Sequence, residues 1–320
     1  MRVSFLIPTR NNGRTIAAAV RSALAQTVDD LEVVVINDGS TDETRAVLDA
    51  LADEDPRVRP LHTSPIGIVA AMNLGLAEAR AAFVARLDGD DLARPGRVAA
   101  QLARLEADPS LAVVDGRVRL FRDDDVAIPT EMRTYVDWVN RRLEPDDFDR
   151  EILVDSPVVH PASTYRRDEV RAIGGYRHGP FPEDYDLWLR LHAAGRRFAK
   201  VPEIVLDWRD HGARLTRNDP RYQPRATRVL RQGWLTAKTL SRPRRVLVWG
   251  ADRAVAPWLG WLRRQGHHAR AVPPQGALAG PNVEIGLVVA GTGRARDRAR
   301  AEIAHQRPGW IEGVDWWAVR

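Results

Sequence analysis

From its first residues the chain alternates short apolar runs with amphipathic stretches. Val3 to Ile7 is an apolar run interrupted only by Ser4 and bounded by Pro8, and Leu31 to Ile36, interrupted only by Glu32, is a second, richer in β-branched residues. Runs of that length read as strands buried on both faces of a parallel sheet. Between them Thr15 to Leu24 has helical spacing, and Asp42 to Leu48 opens another helix with acids in its first turn, where the dipole favours them. Ile68 to Ala79 predicts a third helix, and Ala81 to Leu87 a strand that stops at the acidic run Asp88-Gly89-Asp90-Asp91. This alternation of strands and helices implies a sheet covered by helices on both faces.

Farther along, the pattern predicts a helix over Arg97 to Glu106, one or two strands over Leu111 to Leu120, and a strand over Ala162 to Tyr165. Residues 131 to 155 are helical in spacing but polar, with Trp138 and Phe148 as anchors, and Asp123 to Asp125 read as a solvated turn. A helix starts near Glu183, and another runs over 219 to 240 up to Ser241-Arg242-Pro243. From Arg244 a new strand–helix unit begins: Arg245 to Gly250, an apolar-periodic helix through Leu262, a strand over Ile285 to Ala290 and a helix over Arg294 to Ala304. The pattern divides the chain into residues 1–215, a helical linker 216–243, and a small Rossmann-like α/β module 244–320. A dinucleotide site would need glycines after Gly250, where Asp252 and Ala254 stand instead, so the module is expected to be non-catalytic.

At 320 residues, 44 % apolar and 28 % charged, the chain is long enough for two cores. No apolar run approaches the length of a bilayer span, and Met1 to Pro8 leads straight into a strand without a signal-peptide h-region, so a cytoplasmic location is expected. Cysteine is absent, which excludes disulfides and thiolate chemistry. Charge is uneven: residues 1 to 213 hold 28 Arg/Lys against 36 Asp/Glu, and residues 214 to 320 hold 20 against 7. A basic C-terminal part suits peripheral contact with an anionic membrane surface, or is simply an arginine-rich solvated face. Little aromatic interleaving and no recognition motif argue against a nucleic-acid partner.

In open α/β sheets ligands bind beyond the carboxyl ends of the strands, which is where Asp88, Asp90 and Asp91 fall. Hard oxygen ligands packed this closely suit Mg²⁺ or Mn²⁺, which commonly complete their shell with phosphate oxygens. An isolated Asp-x-Asp also occurs as a solvated loop. The first strand ends in Pro8-Thr9-Arg10-Asn11-Asn12-Gly13 and the second in Asn37-Asp38-Gly39-Ser40-Thr41-Asp42. Thr9, Asn11 and Asp38 offer groups for a base or ribose, though the same residues make good caps and turns.

Taken together, Ser4 to Asn11, Val34 to Asp42, Ala71-Met72-Asn73-Leu74-Gly75-Leu76 and Ala85 to Asp91, in that order, resemble the family 2 glycosyltransferases of the GT-A fold. The resemblance covers roughly residues 1 to 215 and implies the GT-A nucleotide-diphosphate-sugar transferase fold. It implies that Pro8, Thr9, Asn11 and Asp38, with Arg86 and Asp88, hold the nucleotide sugar. Asp88 and Asp90 would be the Asp-x-Asp pair, with Asp90 the direct ligand of Mn²⁺ or Mg²⁺.

On a helix starting near Glu183, Asp184 shares a face with Leu187, Trp188 and Leu191. The helix dipole lowers the pKa of a carboxylate there and an apolar wall raises it, so Asp184 is a candidate base, with helix capping as its alternative. Asp186 lies on another face, four residues before Arg190, a spacing typical of a surface pair. Glu183-Asp184 resembles the Glu-Asp motif of inverting family members, in which the aspartate is the general base and Glu183 would position the acceptor or the base. His211, within Trp208 to Thr216, is similar to a late family segment that closes over the diphosphate, so a metal or phosphate contact is implied there, with Arg209 and Arg214 nearby. His160 resembles a histidine on the family's acceptor side. The other histidines read as structural.

The resemblance and the residues together lead to the expectation of an inverting, metal-dependent glycosyltransferase. Its donor would be a nucleoside-diphosphate sugar, by the resemblance a UDP-sugar, and its acceptor a saccharide or lipid-linked hydroxyl. The alternatives are a non-catalytic nucleotide-sugar-binding protein and a sugar nucleotidyltransferase, which would want a Gly-rich phosphate loop that Pro8 to Gly13 lack.

Overall fold

The computed structural model describes residues 1–320 except 275, 277, 279–282 and 292. The chain forms two compact units, Met1–Phe148 with Pro157–Thr227, and Asp149–Ser156 with Arg228–Arg320.

The first unit begins with β1 (Val3–Thr9), α1 (Ile16–Leu24), β2 (Leu31–Asp38), α2 (Thr44–Glu54), β3 (Val58–Thr63), α3 (Ile68–Glu78) and β4 (Phe83–Arg86). Every residue of β1 and β2 is buried, because both strands lie inside a sheet covered on its two faces. β3, which the apolar pattern does not announce, adds to the edge beside β2; Pro60 is tolerated there and only Val58 is fully buried.

The second half comprises β5 (Leu92–Ala93), α4 (Arg97–Ala107), β6 (Leu111–Phe121), α5 (Thr130–Val139), α6 (Pro145–Glu151), β7 (Thr164–Arg166), α7 (Arg167–Ala172), α8 (Glu183–Ala193) and β8 (Arg197–Arg209). The sheet order is β3-β2-β1-β4-β7-β6-β8-β5. β7 runs antiparallel to β4 and β6, which makes the sheet mixed. The polar stretch 131–155 resolves into α5 and α6, with Phe148 fully buried against Phe198 and Trp138 beside Tyr135.

Inside this unit Lys200 of β8 and Asp115 of β6 form an ion pair at 3.0 Å with both side chains fully buried. Asp115 also accepts from the backbone N–H of Gly116 and Val159, so its charge is well satisfied. Lys200→Met would leave that carboxylate without its cation, a loss expected to cost about 3–5 kcal/mol. Urea unfolding followed by tryptophan fluorescence checks it.

After β8 come α9 (Leu215–Asn218), a 3₁₀ turn (Pro220–Tyr222) and α10 (Pro224–Lys238). They replace the single helix expected over 219–240, with Pro220 and Pro224 each starting an element, a position where the missing proline N–H costs no helical hydrogen bond.

In the second unit β9 (Arg245–Gly250), α11 (Asp252–Arg264), β10 (His268–Val272), β11 (Ile285–Val289), α12 (Gly293–Gln306) and β12 (Trp316–Val319) build an all-parallel sheet, order β10-β9-β11-β12. Leu247, Trp249, Val288, Ile303 and Trp316 form its core together with Val154. Glu151 anchors the 149–156 segment: its buried carboxylate lies 3.4 Å from Arg296 and 3.0 Å from Arg300. Among the described residues no helix is long and apolar enough to cross a membrane.

Candidate active site

The parallel neighbours β2, β1 and β4 deliver three loops to one edge of the sheet. Hydrogen bonds tie these loops together. Asn11 N–H donates to Ser40 Oγ at 2.9 Å, and Asn11 Oδ1 accepts from Thr41 N–H at 2.9 Å. Gly13 N–H donates to Asp42 at 3.0 Å, and Thr15 Oγ1 donates to the carbonyl of Gly89 at 2.9 Å. Asn11 holds φ +54°, a left-handed conformation that asparagine tolerates. Pro8 is buried in β1 opposite Ile36, and Thr9 is buried with an Oγ1 that has no hydrogen-bond partner. Asp38 is turned toward α3, accepting from the N–H of Ile66 at 2.6 Å and of Gly67 at 3.1 Å.

The acidic loop follows β4. One oxygen from each of Asp88, Asp90 and Asp91 lies within 4.8 Å of the others. Burial, then Asp88, pushes the Asp90 carboxyl up, and burial with both neighbours pushes Asp91 well up. Asp91 accepts from Arg209 N–H at 2.8 Å, while its Oδ2 is buried without a partner. Crowded, partly desolvated carboxylates with an unmatched oxygen fit a small hard divalent cation, since such an ion reverses the local repulsion. His211 Nε2 lies 2.8 Å from Asp90 Oδ2. Arg209 stacks on Phe121 and its Nε donates to the Asp90 carbonyl at 2.6 Å, while Arg214 stacks on Trp208 at 4.2 Å.

Arg86, at the end of β4 and only 5 % exposed, pairs with Asp88. Its charge also acts on Asp184, whose carboxyl it lowers. This buried guanidinium therefore acts electrostatically on both the acidic loop and the carboxylate at the start of α8. Asp184 is half-buried, with Leu187, Trp188 and Leu191 of its helix fully buried. Desolvation and then Glu183 push its carboxyl up to about 7, against the N–H of Tyr185, 2.7 Å from Oδ1, and against Arg86. A carboxylate with a pKa near 7 is matched to proton abstraction at neutral pH.

Asp186 does pair with Arg190, at 2.7 Å, but contrary to the spacing rule the pair is not on the surface. Asp186 is 2 % exposed and also binds Arg177, because α8 is covered on that face too. His160 is buried, its Nε2 2.9 Å from the Tyr176 hydroxyl and its ring edge-on to Trp188. Burial, and then Arg86, hold its pKa well below the usual value, so the imidazole is neutral.

Residues 4–174 match the sequence profile described as Glycosyl transferase family 2. The chain belongs to glycosyltransferase family 2. It is 27 % identical over 217 residues to an uncharacterized glycosyltransferase of Haemophilus influenzae, covering 66 % of each chain. It is 32 % identical over 211 residues to chondroitin synthase of Pasteurella multocida, covering 66 % of this chain and 21 % of that one. The chain thus spans about two thirds of the first relative's length and a fifth of the second's. In fold it is similar to the mannosyltransferase PcManGT of Pyrobaculum calidifontis in complex with GDP-Man and Mn2+, with TM-score 0.52, 18 % identity, and coverage of 83 % of this chain and 84 % of that one. It is also similar to S. aureus TarS 1-349 in complex with UDP-GlcNAc, with TM-score 0.52, 17 % identity, and coverage of 67 % and 60 %. The GT-A fold expected from the sequence is therefore present.

Within this family 2 glycosyltransferase, three further residues make contacts beside the expected ones. Asp91, 1 % exposed, completes the carboxylate cluster. Asn73 clasps the Tyr176 backbone, accepting from its N–H and donating to its carbonyl, each at 2.9 Å. Tyr222 lies 3.1 Å from both carboxylate oxygens of Glu183. Asp91 and Asn73 lie inside motifs whose spacing marked them; nothing in the sequence signals Tyr222.

Proposed function

We propose that this chain transfers a sugar from a nucleoside-diphosphate sugar, most simply a UDP-sugar, to an acceptor hydroxyl with inversion, in the synthesis of a polysaccharide or glycoconjugate. The observation that carries this reading is the Asp88–Asp90–Asp91 cluster, with the buried Arg86 paired to Asp88 and its charge also acting on Asp184. The loops after β1 and β2 would receive the nucleoside, with Pro8, Thr9, Asn11 and Asp38 lining its seat. Asp90 and Asp88, with His211 beside Asp90, would hold Mn²⁺ or Mg²⁺, which when bound neutralises charge on the departing diphosphate. Arg86 would orient Asp88.

Asp184 takes the proton of the acceptor hydroxyl. That oxygen attacks the anomeric carbon from the face opposite the diphosphate, the bond to the diphosphate oxygen breaks, and the configuration inverts in one step. Glu183 raises the basicity of Asp184 through its adjacent charge. The chondroitin synthase likeness, and that to an amylovoran biosynthesis glycosyltransferase of Erwinia amylovora, 28 % identical over 185 residues, favour a saccharide acceptor.

The test is release of nucleoside diphosphate from a panel of UDP-sugars and GDP-mannose, with and without MnCl₂. Metal-dependent release from one donor supports the proposal. No release from any donor, together with no calorimetric binding of UDP or GDP, rejects it.

Because the base must be ionised, kcat/KM should rise with pH through about 7 and level off above it. Glu183→Gln removes a neighbouring negative charge that raises the Asp184 carboxyl, so this limb should move to lower pH. A pH–rate profile of both proteins checks the direction.

A further inference from the structure

Glu183 is the more buried member of the Glu183–Asp184 pair, 3 % exposed, and a carboxylate taken out of water needs partners of its own. These come from one short segment beyond β8. The Tyr222 hydroxyl is 3.1 Å from each Glu183 oxygen, and Arg221 Nη1 is 3.5 Å from Oε2. Burial, then Glu183 and Asp184, hold the Tyr222 hydroxyl strongly in its protonated form, so it can only donate here.

The segment is internally braced. Asp219 accepts from the backbone N–H of Arg221 at 2.9 Å and from its guanidinium at 3.0 and 2.8 Å, with Pro220 fixing the backbone between them. Upstream, Asn218 Nδ2 donates to the carbonyls of Gly212 at 3.0 Å and Arg214 at 2.8 Å. This stretch starts at His211, which contacts Asp90. One continuous piece of chain therefore touches the acidic loop at its beginning and Glu183 at its end.

We infer that Tyr222 is a positioning residue for glycosyl transfer, its hydroxyl fixing the Glu183 carboxylate beside Asp184 through the braced turn 219–222. The inference rests on the reading of Asp184 as the base. Tyr222 acts through Glu183: one short hydrogen-bonded side chain selects the rotamer of a buried neighbour, and that neighbour's charge sets how strongly Asp184 attracts a proton. Phenylalanine keeps the ring and its packing, so it isolates the hydroxyl.

The experiment is a double-mutant cycle of Tyr222→Phe and Glu183→Gln, assayed with the donor that the wild-type protein turns over in the panel. Tyr222→Phe should lower kcat about tenfold and change the donor KM less than about twofold. The double variant should fall no further than Glu183→Gln alone, because the hydroxyl has no separate effect once its partner carboxylate is gone. Wild-type kcat in Tyr222→Phe, or losses that multiply in the double variant, would overturn the inference. Should Tyr222→Phe unfold at the assay temperature, Arg221→Gln, which removes the other partner of Glu183, enters the same cycle with the same criteria. Full turnover in Asp184→Asn would instead defeat the catalytic reading, so the two failures are distinguishable.

Discussion

Asp184→Asn is expected to lower kcat by about 10²–10⁴-fold, the usual worth of a general base. Affinity for the nucleoside diphosphate should stay within about twofold, because the proposed base acts on the acceptor hydroxyl and is given no part in holding the donor. Asparagine is nearly isosteric and still supplies an oxygen to the N–H of Tyr185, so α8 keeps its start. What vanishes is a carboxylate held at about 7 by desolvation and by Glu183. Stability should not suffer, since a charge in a costly environment is removed. Calorimetry with UDP or GDP beside a turnover assay checks both halves; equal loss of binding and turnover would relocate Asp184 to the donor seat.

Asp90→Asn is expected to cost about two orders of magnitude in kcat/KM or more, the loss of several kcal/mol of leaving-group stabilisation. Chelation of the wild-type protein should have the same consequence and be reversed by added Mn²⁺. The stability readout runs the other way. In the metal-free protein Asp90 is pushed up by burial and by Asp88, and Asp91 by burial and both neighbours, so neutralising Asp90 relieves repulsion. Thermal unfolding without metal should therefore show Asp90→Asn melting at or above the wild-type temperature. Loss of activity together with a lower melting temperature would mean that Asp90 is chiefly a structural acid.

Much of this arrangement was legible because the central strands are predominantly apolar. β1, β2 and β4 lie inside the sheet, and the loops after them gather motifs at one edge. The start of α8 at Glu183 was equally plain, since Asp184, Leu187, Trp188 and Leu191 share a face. The small C-terminal module was visible from Arg245 to Gly250 and Ile285 to Val289 for the same reason.

Other elements carry signals that a strand or helix pattern hides. β8 contains Lys200, Pro202, Glu203 and Asp207, yet it is a long strand because β6 pairs with it through local irregularities and Asp115 neutralises Lys200. β3 lies at an edge, where a proline and half-exposed side chains blur the alternation. Asp186 looked like a surface residue because its spacing to Arg190 is local, whereas its burial depends on Arg177 and the loop before α8. Tyr222 is the clearest case: its importance lies wholly in a contact made across the fold, to a residue 39 positions earlier.

The most direct measurement is the anomeric configuration of the first product formed from an α-linked nucleotide sugar, read by ¹H NMR from the coupling of the anomeric proton. A single displacement with Asp184 as the base predicts a β-linked product. An α-linked product would contradict it, because retention requires a different course at the anomeric carbon from the one-step attack assigned to this site.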